Sequence, residues 1–522
     1  MTDAGTGDAV RDLLDDALEC YGGEPEMTAI LRARRERLDG PLRVALVGRV
    51  KAGKSTLLNA LAGERLAPTD AGECTRVLTE YRHGSIPRVT LHGRDGRSRA
   101  LPVRRDDGEL RLDLAGTAPD EVDRLIVDWP SAPLHGLTLV DTPGTASLTG
   151  SAGERTTGFV GGADGAGPDG LVFLTRRVQP EDLAVLTAFG TASGSALPTT
   201  TLVVLSRADE VGSGQLEAML AARELALRTE EEPAVRALGT PVVPVAGLVG
   251  LAGRLLRHRD FVALRSLALA PRAPVEDMLL TADRFLGVEA PVPLSASMRT
   301  ALLDELGLFG IRLAITLLRG STATPDALSD ELVRRSGLRE LERLVDVHFR
   351  RRSDVMRAAG AVRTVEQVLR RAPVPGDGRV WAHLERVRLA SHDLAELDLL
   401  ARLRAVDGPL PRGLQAEAAR LLGGEGTGVA ERLGLPADAA EDEQRTAALT
   451  AVLAWRDRAD DPLAPRATVD ACEVVARSVE GLLARLERAA GNPYGFSAGE
   501  PSPAGTGGAG GGSAGAGAQP GA

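Results

Sequence analysis

The sequence predicts an α/β head built on a doubly wound mixed sheet, flanked by helices that form an all-α extension. Three observations predict it. From about residue 42 to 268, short β-rich runs alternate with helical patterns, the rhythm of a sheet covered by helices on both faces. From about Pro271 onward that rhythm stops, and apolar residues recur only at helical spacing. The third is Gly48-Arg49-Val50-Lys51-Ala52-Gly53-Lys54-Ser55, a G-x-x-x-x-G-K-S stretch placed directly after the first β-rich run.

Two short helices are expected first, over about 8–20 and 25–38, with Leu13, Leu14, Leu18, Ile30 and Leu31 as apolar positions. Strands are expected at 42–47, 77–82, 89–92, 124–129, 138–141, 170–175, 200–205 and 241–245. Leu137 to Val140 is a continuous apolar run suited to a strand buried on both faces. Beyond the head, Leu302, Leu306, Phe309, Leu313 and Leu317 share one helical face. Leu338, Leu341, Val345, Val355, Ala359, Val362 and Leu369 step through what the spacing predicts as one helix over 337–371, about 50 Å long. Pro373 to Gly378 breaks it. A return helix carries Leu384, Val387, Leu394, Leu397 and Ala401, shorter helices follow at about 414–422 and 437–458, and a last one uses Cys472, Val475, Val479, Leu482 and Leu486. The expected division is 1–40 for the N-terminal helices, 41–268 for the head, 269–490 for a helical neck and stalk, and 491–522 for a disordered Gly, Ala, Pro and Ser tail.

Composition narrows the chemistry. At 522 residues the chain can bury two or three cores. Its net charge of −10 disfavours a nucleic-acid surface. Three separated cysteines, Cys20, Cys74 and Cys472, argue against a disulfide framework or zinc site and for a reducing cytoplasm. No signal-like N-terminus is expected. The longest apolar stretch, 306–318, is cut by Arg312 and is too short to span a bilayer.

The chain contains two lysines, Lys51 and Lys54, and both lie in the glycine-rich stretch. A phosphate-cradling P-loop needs glycines so that its backbone can turn tightly and aim N–H groups at phosphate oxygens, with the dipole of the following helix behind them. Gly48 through Thr56 would hold the phosphates, Lys54 bridging the β- and γ-groups and Ser55 ligating Mg²⁺. Asp141-Thr142-Pro143-Gly144 ends an apolar strand, where a carboxylate can hold Mg²⁺ through water and the Gly144 N–H can reach the γ-phosphate. Ser206-Arg207-Ala208-Asp209 ends another. A carboxylate at Asp209 can accept from the guanine N1–H and exocyclic amine, with the Arg207 stem over one face of the base. The alternative is that Asp209 only caps the next helix. Ala246, within Val245-Ala246-Gly247, occupies the place of the last base-contacting loop. Thr75 falls where a threonine can complete the Mg²⁺ shell and help place water, with Thr69 and Thr79 as competitors.

In this order these elements resemble a GTPase. With helices before the P-loop and a long helical segment after it, the chain resembles the bacterial dynamin-like GTPases. The phrases at 48–56, 205–210 and Ser336-Gly337-Leu338…Phe349 look most like actinobacterial members, including the isoniazid-inducible mycobacterial ones. The resemblance implies an α/β P-loop GTPase head with a neck and stalk formed by N-terminal and C-terminal helices. It also implies GTP and GDP as substrate and product with Mg²⁺, head-to-head dimerisation with a second copy, and membrane remodelling. Neighbouring pairs in related bacteria imply a second dynamin-like partner at the cytoplasmic face of the membrane, and in filamentous actinobacteria a link to division septa. Packing the first helices against the 472–486 stripe beside the head is part of the same family picture.

Two departures stand out. Dynamins carry glutamine and serine where this chain has Val50 and Lys51, and a monovalent cation beside that serine offsets transition-state charge. Lys51 could place its own ammonium there. Thr145 follows Gly144 where Ras-like enzymes have a water-orienting glutamine, so slow basal turnover is expected. Arg363, Arg370, Arg371, Arg379, Arg386 and Arg388 with Trp381 cluster around the 373–378 turn. There they would suit an anionic membrane surface at ~1 kcal/mol per charge, or else form a solvated face. The Arg350-Arg351-Arg352 run is expected on a stalk face or partner contact. The competing functions are a nucleotide-gated scaffold with little hydrolysis and an ATP-driven enzyme in which Asp209 is a cap.

Overall fold

In the computed structural model, residues 4–489 are described apart from 69–76, 107, 144–157, 160–166, 193–199, 239, 288–292, 321 and 404–407. Helices α1 (Ala4–Cys20) and α2 (Pro25–Arg37) come first, then β1 (Leu42–Gly48), the P-loop and α3 (Lys54–Ala62). Next are β2 (Leu78–His83), β3 (Arg88–Gly93), β4 (Ser98–Leu101), β5 (Arg104–Asp106), β6 (Glu109–Arg111), β7 (Val122–Trp129), β8 (Leu137–Asp141) and β9 (Gly170–Thr175). The head continues through α4 (Pro180–Ala192), β10 (Thr201–Ser206), α5 (Ala218–Glu231), α6 (Pro233–Leu238), β11 (Val242–Val245) and α7 (Gly247–Arg254).

Nine of the described strands form one sheet in the order β11-β10-β9-β1-β8-β2-β7-β3-β4. The segment β11-β10-β9-β1-β8 is parallel, β2 joins β8 antiparallel, and β3 and β4 add an antiparallel edge. The mixed doubly wound sheet is therefore as expected. The β4, β5 and β6 strands are additions: the 94–121 excursion offers Arg-rich exposed strands, anchored in the core by Leu101, Leu110 and Leu114, with Leu112 packed against it.

The remaining elements are helical: α8 (His258–Leu269), α9 (Arg272–Met278), α10 (Ala282–Gly287), α11 (Ala296–Arg319), α12 (Pro325–Arg335), α13 (Leu338–His348), α14 (Ser353–Arg371), α15 (Gly378–Ala390), α16 (His392–Leu403), α17 (Arg412–Leu421), α18 (Val429–Leu433), α19 (Glu441–Ala459) and α20 (Arg466–Ala489). No helix of the described residues is long and apolar enough to cross a membrane.

The single helix expected over 337–371 is two, α13 and α14, separated by a 3-10 turn at Arg350–Arg352. The cause is tertiary. Phe349 is fully buried in the head core with Leu338, Leu341 and Val345, its ring so close to Gly170 that a methyl there would lie 3.2 Å away. The chain cannot seat that ring and continue straight, so α14 alone, about 28 Å, forms the long arm. The three arginines then fix the break. Arg350 donates to the Pro133 carbonyl, Arg351 pairs with Asp346 and Thr427, and Arg352 donates to Leu422 and Gly423. The return helix also divides, into α15 and α16 at Ser391.

The expected pairing of the N-terminal helices with the 472–486 stripe is not the one formed. Val10, Leu13, Leu14 and Leu31 pack with Val362, Val365, Leu369, Val380 and Leu384 of α14 and α15. Cys472, Val475, Val479 and Leu482 instead pack with Leu399, Leu421, Val452 and Trp455. The neck is thus α1, α2, α14 and α15, and α16 to α20 form a separate bundle. The arginines around the 373–378 turn are drawn into this neck. Arg371 pairs with Glu26, Arg379 with Glu19, and both Arg370 and Arg388 with Glu366. Trp381 packs on the neck core, and burial lowers Arg363 to about 9 beside Arg34 and Asp169. Of the basic residues expected to face an anionic surface, Arg370, Arg371, Arg379 and Arg386 stay exposed, the first three while paired to carboxylates of the neck.

Candidate nucleotide-binding site

The site lies at the carboxyl ends of β1, β8, β9, β10 and β11, where parallel α/β sheets bind ligands. β1 is pressed between β8 and β9, and at its end a Cβ on Gly48 would come 2.4 Å from the Leu174 carbonyl. Only glycine lets the chain leave the sheet there. Lys51 then adopts φ +63° and Arg207, at the corresponding end of β10, φ +53°. Non-glycine residues in the left-handed region are costly and concentrate where geometry is functional.

Behind the loop, Lys54 is 9% exposed and its Nζ donates to the Gly48 carbonyl at 3.3 Å. Burial lowers its pKa, with Asp141 opposing the shift. The Ser55 hydroxyl donates to Asp141 Oδ2 at 3.1 Å. Among the described residues Asp141 Oδ1 is buried with no hydrogen-bond partner, and burial raises this carboxyl's pKa against the pull of Lys54 and Ser55. A desolvated carboxylate oxygen next to a hydroxyl and an ammonium fits a hydrated divalent cation: an oxygen donor set with charge to spare. Ser55 and Asp141 would hold such an ion.

Beside the P-loop is a cavity of about 250 Å³, lined by Ala52, Gly53, Thr56, Leu57, Leu174, Val204, Ser206, Arg207, Asp209, Glu210, Val245, Gly247 and Leu248. Leu57, Leu174, Val204, Val245 and Leu248 give it apolar faces that suit a flat heterocycle, with Thr56, Ser206, Arg207, Asp209 and Glu210 as polar groups around them. Burial raises the Asp209 pKa, Arg207 and Arg176 both pair with Glu210, and the buried Ser206 hydroxyl has no partner among the described residues.

The fold thus brings together Gly48, Lys54, Ser55, Thr56, Asp141, Ser206, Arg207 and Asp209. Arg49 is turned to α4, where it meets Glu181 at 3.1 Å and Asp182 at 3.4 Å. Val50 is 53% exposed, and Lys51 is exposed on the loop rim. Ala246 is fully buried with its N–H donated to the Ser336 carbonyl, so the loop turns Val245, Gly247 and Leu248 toward the cavity. Thr79 is a buried β2 residue opposite Asp141, its hydroxyl bonded to Val77. Thr75, Thr69, Gly144 and Thr145 lie outside the described residues. Leu174, Val204 and Leu248 were not expected as lining. Their only sequence signal is position at a strand end or helix start.

A P-loop sheet that carries a helical neck made from the N-terminal helices and from helices that follow the sheet in sequence is the arrangement of a dynamin-type protein. The Dynamin family model matches residues 44–160. The isoniazid-induced protein IniC of Mycobacterium tuberculosis is 40% identical over 490 residues, covering 92% of this chain and 99% of that one. A bacterial dynamin-like protein of Nostoc punctiforme is 33% identical over 168 residues, 30% of this chain and 23% of its own. A solved structure of an oligomerised bacterial dynamin pair aligns over 94% of this chain and 75% of its own, with 12% identity and a TM-score of 0.34, too low to bear on the fold. The chain belongs to the bacterial dynamin-like GTPases.

Proposed function

We propose that this protein binds GTP with Mg²⁺ and hydrolyses it, coupling nucleotide state to head-to-head dimerisation and to movement of the helical neck. The setting we propose is the cytoplasmic face of the membrane, with a second dynamin-like protein as partner and division septa as a site of action. The observation that carries the chemistry is the orphaned Asp141 Oδ1 beside Ser55 and Lys54. Lys54 neutralises the β- and γ-phosphates, Ser55 and Asp141 hold the ion that screens them, and Asp209 reads the base. When bound, Mg²⁺ supplies charge stabilisation at the bridging oxygens. Thr75 and Gly144 complete the water-positioning set in this reading.

Lys51 replaces the monovalent cation. Held at φ +63° on the rim, it can extend its ammonium over the γ-phosphate. A charge of that kind is worth on the order of 10³ or more in rate. GTP turnover is to be measured for wild type and Lys51→Ala with and without K⁺. A large loss in the variant and K⁺-independence in wild type are expected, and unchanged, K⁺-dependent turnover in both would sink the role.

A scaffold with little intrinsic hydrolysis is the second reading, favoured by the exposed and apolar Val50. Steady-state phosphate release with and without anionic liposomes separates the two.

A further inference from the structure

The sheet edge beside the cavity is finished by a turn from outside the β-α alternation. β11 is the edge strand, and the N–H just beyond it, on Ala246, donates to the Ser336 carbonyl at 2.8 Å. The next residue, Gly337, has φ +80°, and a Cβ there would sit 2.2 Å from the Pro244 carbonyl oxygen. Ser336 is fully buried, its hydroxyl donating to Val333 at 2.8 Å and accepting from Leu338 at 3.3 Å. On α7, a Cβ at Gly250 would meet Leu338 Cδ2 and Ser336 Oγ, each at 3.0 Å. The turn therefore touches the strand end, the loop and the helix that begins at the cavity wall.

Nothing in the β-α alternation requires that contact. Without it the 245–248 loop would end an edge strand with open hydrogen-bonding groups. With it, the loop is bracketed, cavity on one side and Ser336–Leu338 on the other.

We propose that the Ser336-Gly337-Leu338 turn is a positioning element for the nucleotide base, and that the seating of α12 and α13 thereby sets nucleotide affinity and base discrimination. This rests on the guanine reading of the cavity. Gly247 and Leu248 are the first residues of α7, and their N–H groups have no intrahelical acceptor. Such donors suit the guanine O6, an acceptor, and oppose the exocyclic amine of adenine at the same place. Hydrogen bonds weaken steeply with misalignment, so a displaced loop loses affinity and selectivity together. By linkage, the base tightens the turn as much as the turn tightens the base. The base is common to both nucleotides, so this coupling reports occupancy and ignores the γ-phosphate.

The test uses the full chain with Mg²⁺, titrated with fluorescent GDP in competition with ADP. Gly337→Ala must push the turn off Pro244. Gly376→Ala is the control, with equal backbone strain at φ +92° in open space at the α14–α15 turn. Gly337→Ala is expected to weaken GDP about tenfold, the equivalent of one lost hydrogen bond, and to narrow the GDP-to-ADP preference by a similar factor. The loss should be equal for GDP and a non-hydrolysable GTP analogue, with kcat at saturating GTP nearly unchanged. Gly376→Ala should bind as wild type. A Gly337→Ala protein that melts lower yet keeps wild-type affinity and preference overturns the proposal, because that is what a merely structural turn would give. Should this variant not fold, hydrogen exchange on wild type decides. The amides of Ala246 and of residues 338–341 slow when GDP is added, and equal exchange in both states overturns it. Wild type that ignores GDP overturns the guanine reading as well, and is recognised without any variant.

Discussion

Arg34 on α2 and Asp169, just ahead of β9, meet at 3.1 Å with only 7% and 2% of their side chains exposed. Asp169 also accepts from Arg37 and from the Arg43 backbone N–H, while Arg34 donates to the Arg357 carbonyl on α14. One carboxylate thus joins the neck to the start of two central strands. Burial alone would raise the Asp169 pKa, but Arg37 and Arg34 hold it down at about 2. Burial lowers Arg34 to about 10.

Breaking this joint should be costly. Asp169→Asn leaves two guanidiniums facing an uncharged amide in a dry site, with an expected loss of about 3–5 kcal/mol. Thermal unfolding of the variant checks it. The double variant with Arg34→Met should recover part of the loss, since it removes one of the two uncompensated charges.

The same carboxylate predicts an acid response. Its folded pKa lies below its unfolded value, so its contribution is complete above about pH 4 and is lost as pH falls toward 2. Melting temperature against pH should fall across that window in wild type, and less steeply in Asp169→Asn.

Asp141→Asn and Ser55→Ala should each lower GTP turnover on the order of 10²-fold, and both should raise the Mg²⁺ concentration needed for half-maximal rate. Metal titrations of turnover check it. A normal Mg²⁺ requirement would remove Ser55 and Asp141 from the ion's shell.

Asp209→Asn exchanges an acceptor pair for one acceptor and one donor. Binding of GDP should weaken on the order of 10²-fold or more, while xanthosine diphosphate, which offers a carbonyl where guanine has an amine, should gain. Competition titration measures both. Equal loss of the two nucleotides would return Asp209 to the role of a cap.

Phe349→Ala removes the ring packed on Gly170 at the junction of α13 and α14. A loss of about 3–5 kcal/mol is expected in equilibrium denaturation. Phe349 does not line the cavity, so any loss of GDP affinity should come through the seating of α13 and be smaller than that of Gly337→Ala.

What the sequence made legible is what nearest neighbours decide. The strand at Leu137–Asp141 was readable because both faces are buried and Leu137, Leu139 and Val140 leave no polar/apolar alternation before Asp141. The placement of the P-loop, Asp141 and Asp209 at strand ends was readable because each belongs to a contiguous phrase that follows an apolar run. β4 to β6 were not, since Arg104, Arg105 and Arg111 give no alternation and the strands exist through pairing alone. The break after His348 was hidden for the opposite reason: Arg350 to Arg352 are good helix formers, and only a distant Gly170 makes room for Phe349. Likewise nothing near Ala246 indicates that its N–H belongs to a residue 90 positions on.

Because Leu338, Leu341 and Phe349 complete the hydrophobic interior that Leu42, Val44 and Leu58 begin, the α/β head cannot be excised at the point where the β-α rhythm ends. A fragment stopping there would carry a raw apolar scar along α3 and α7 and should precipitate on expression.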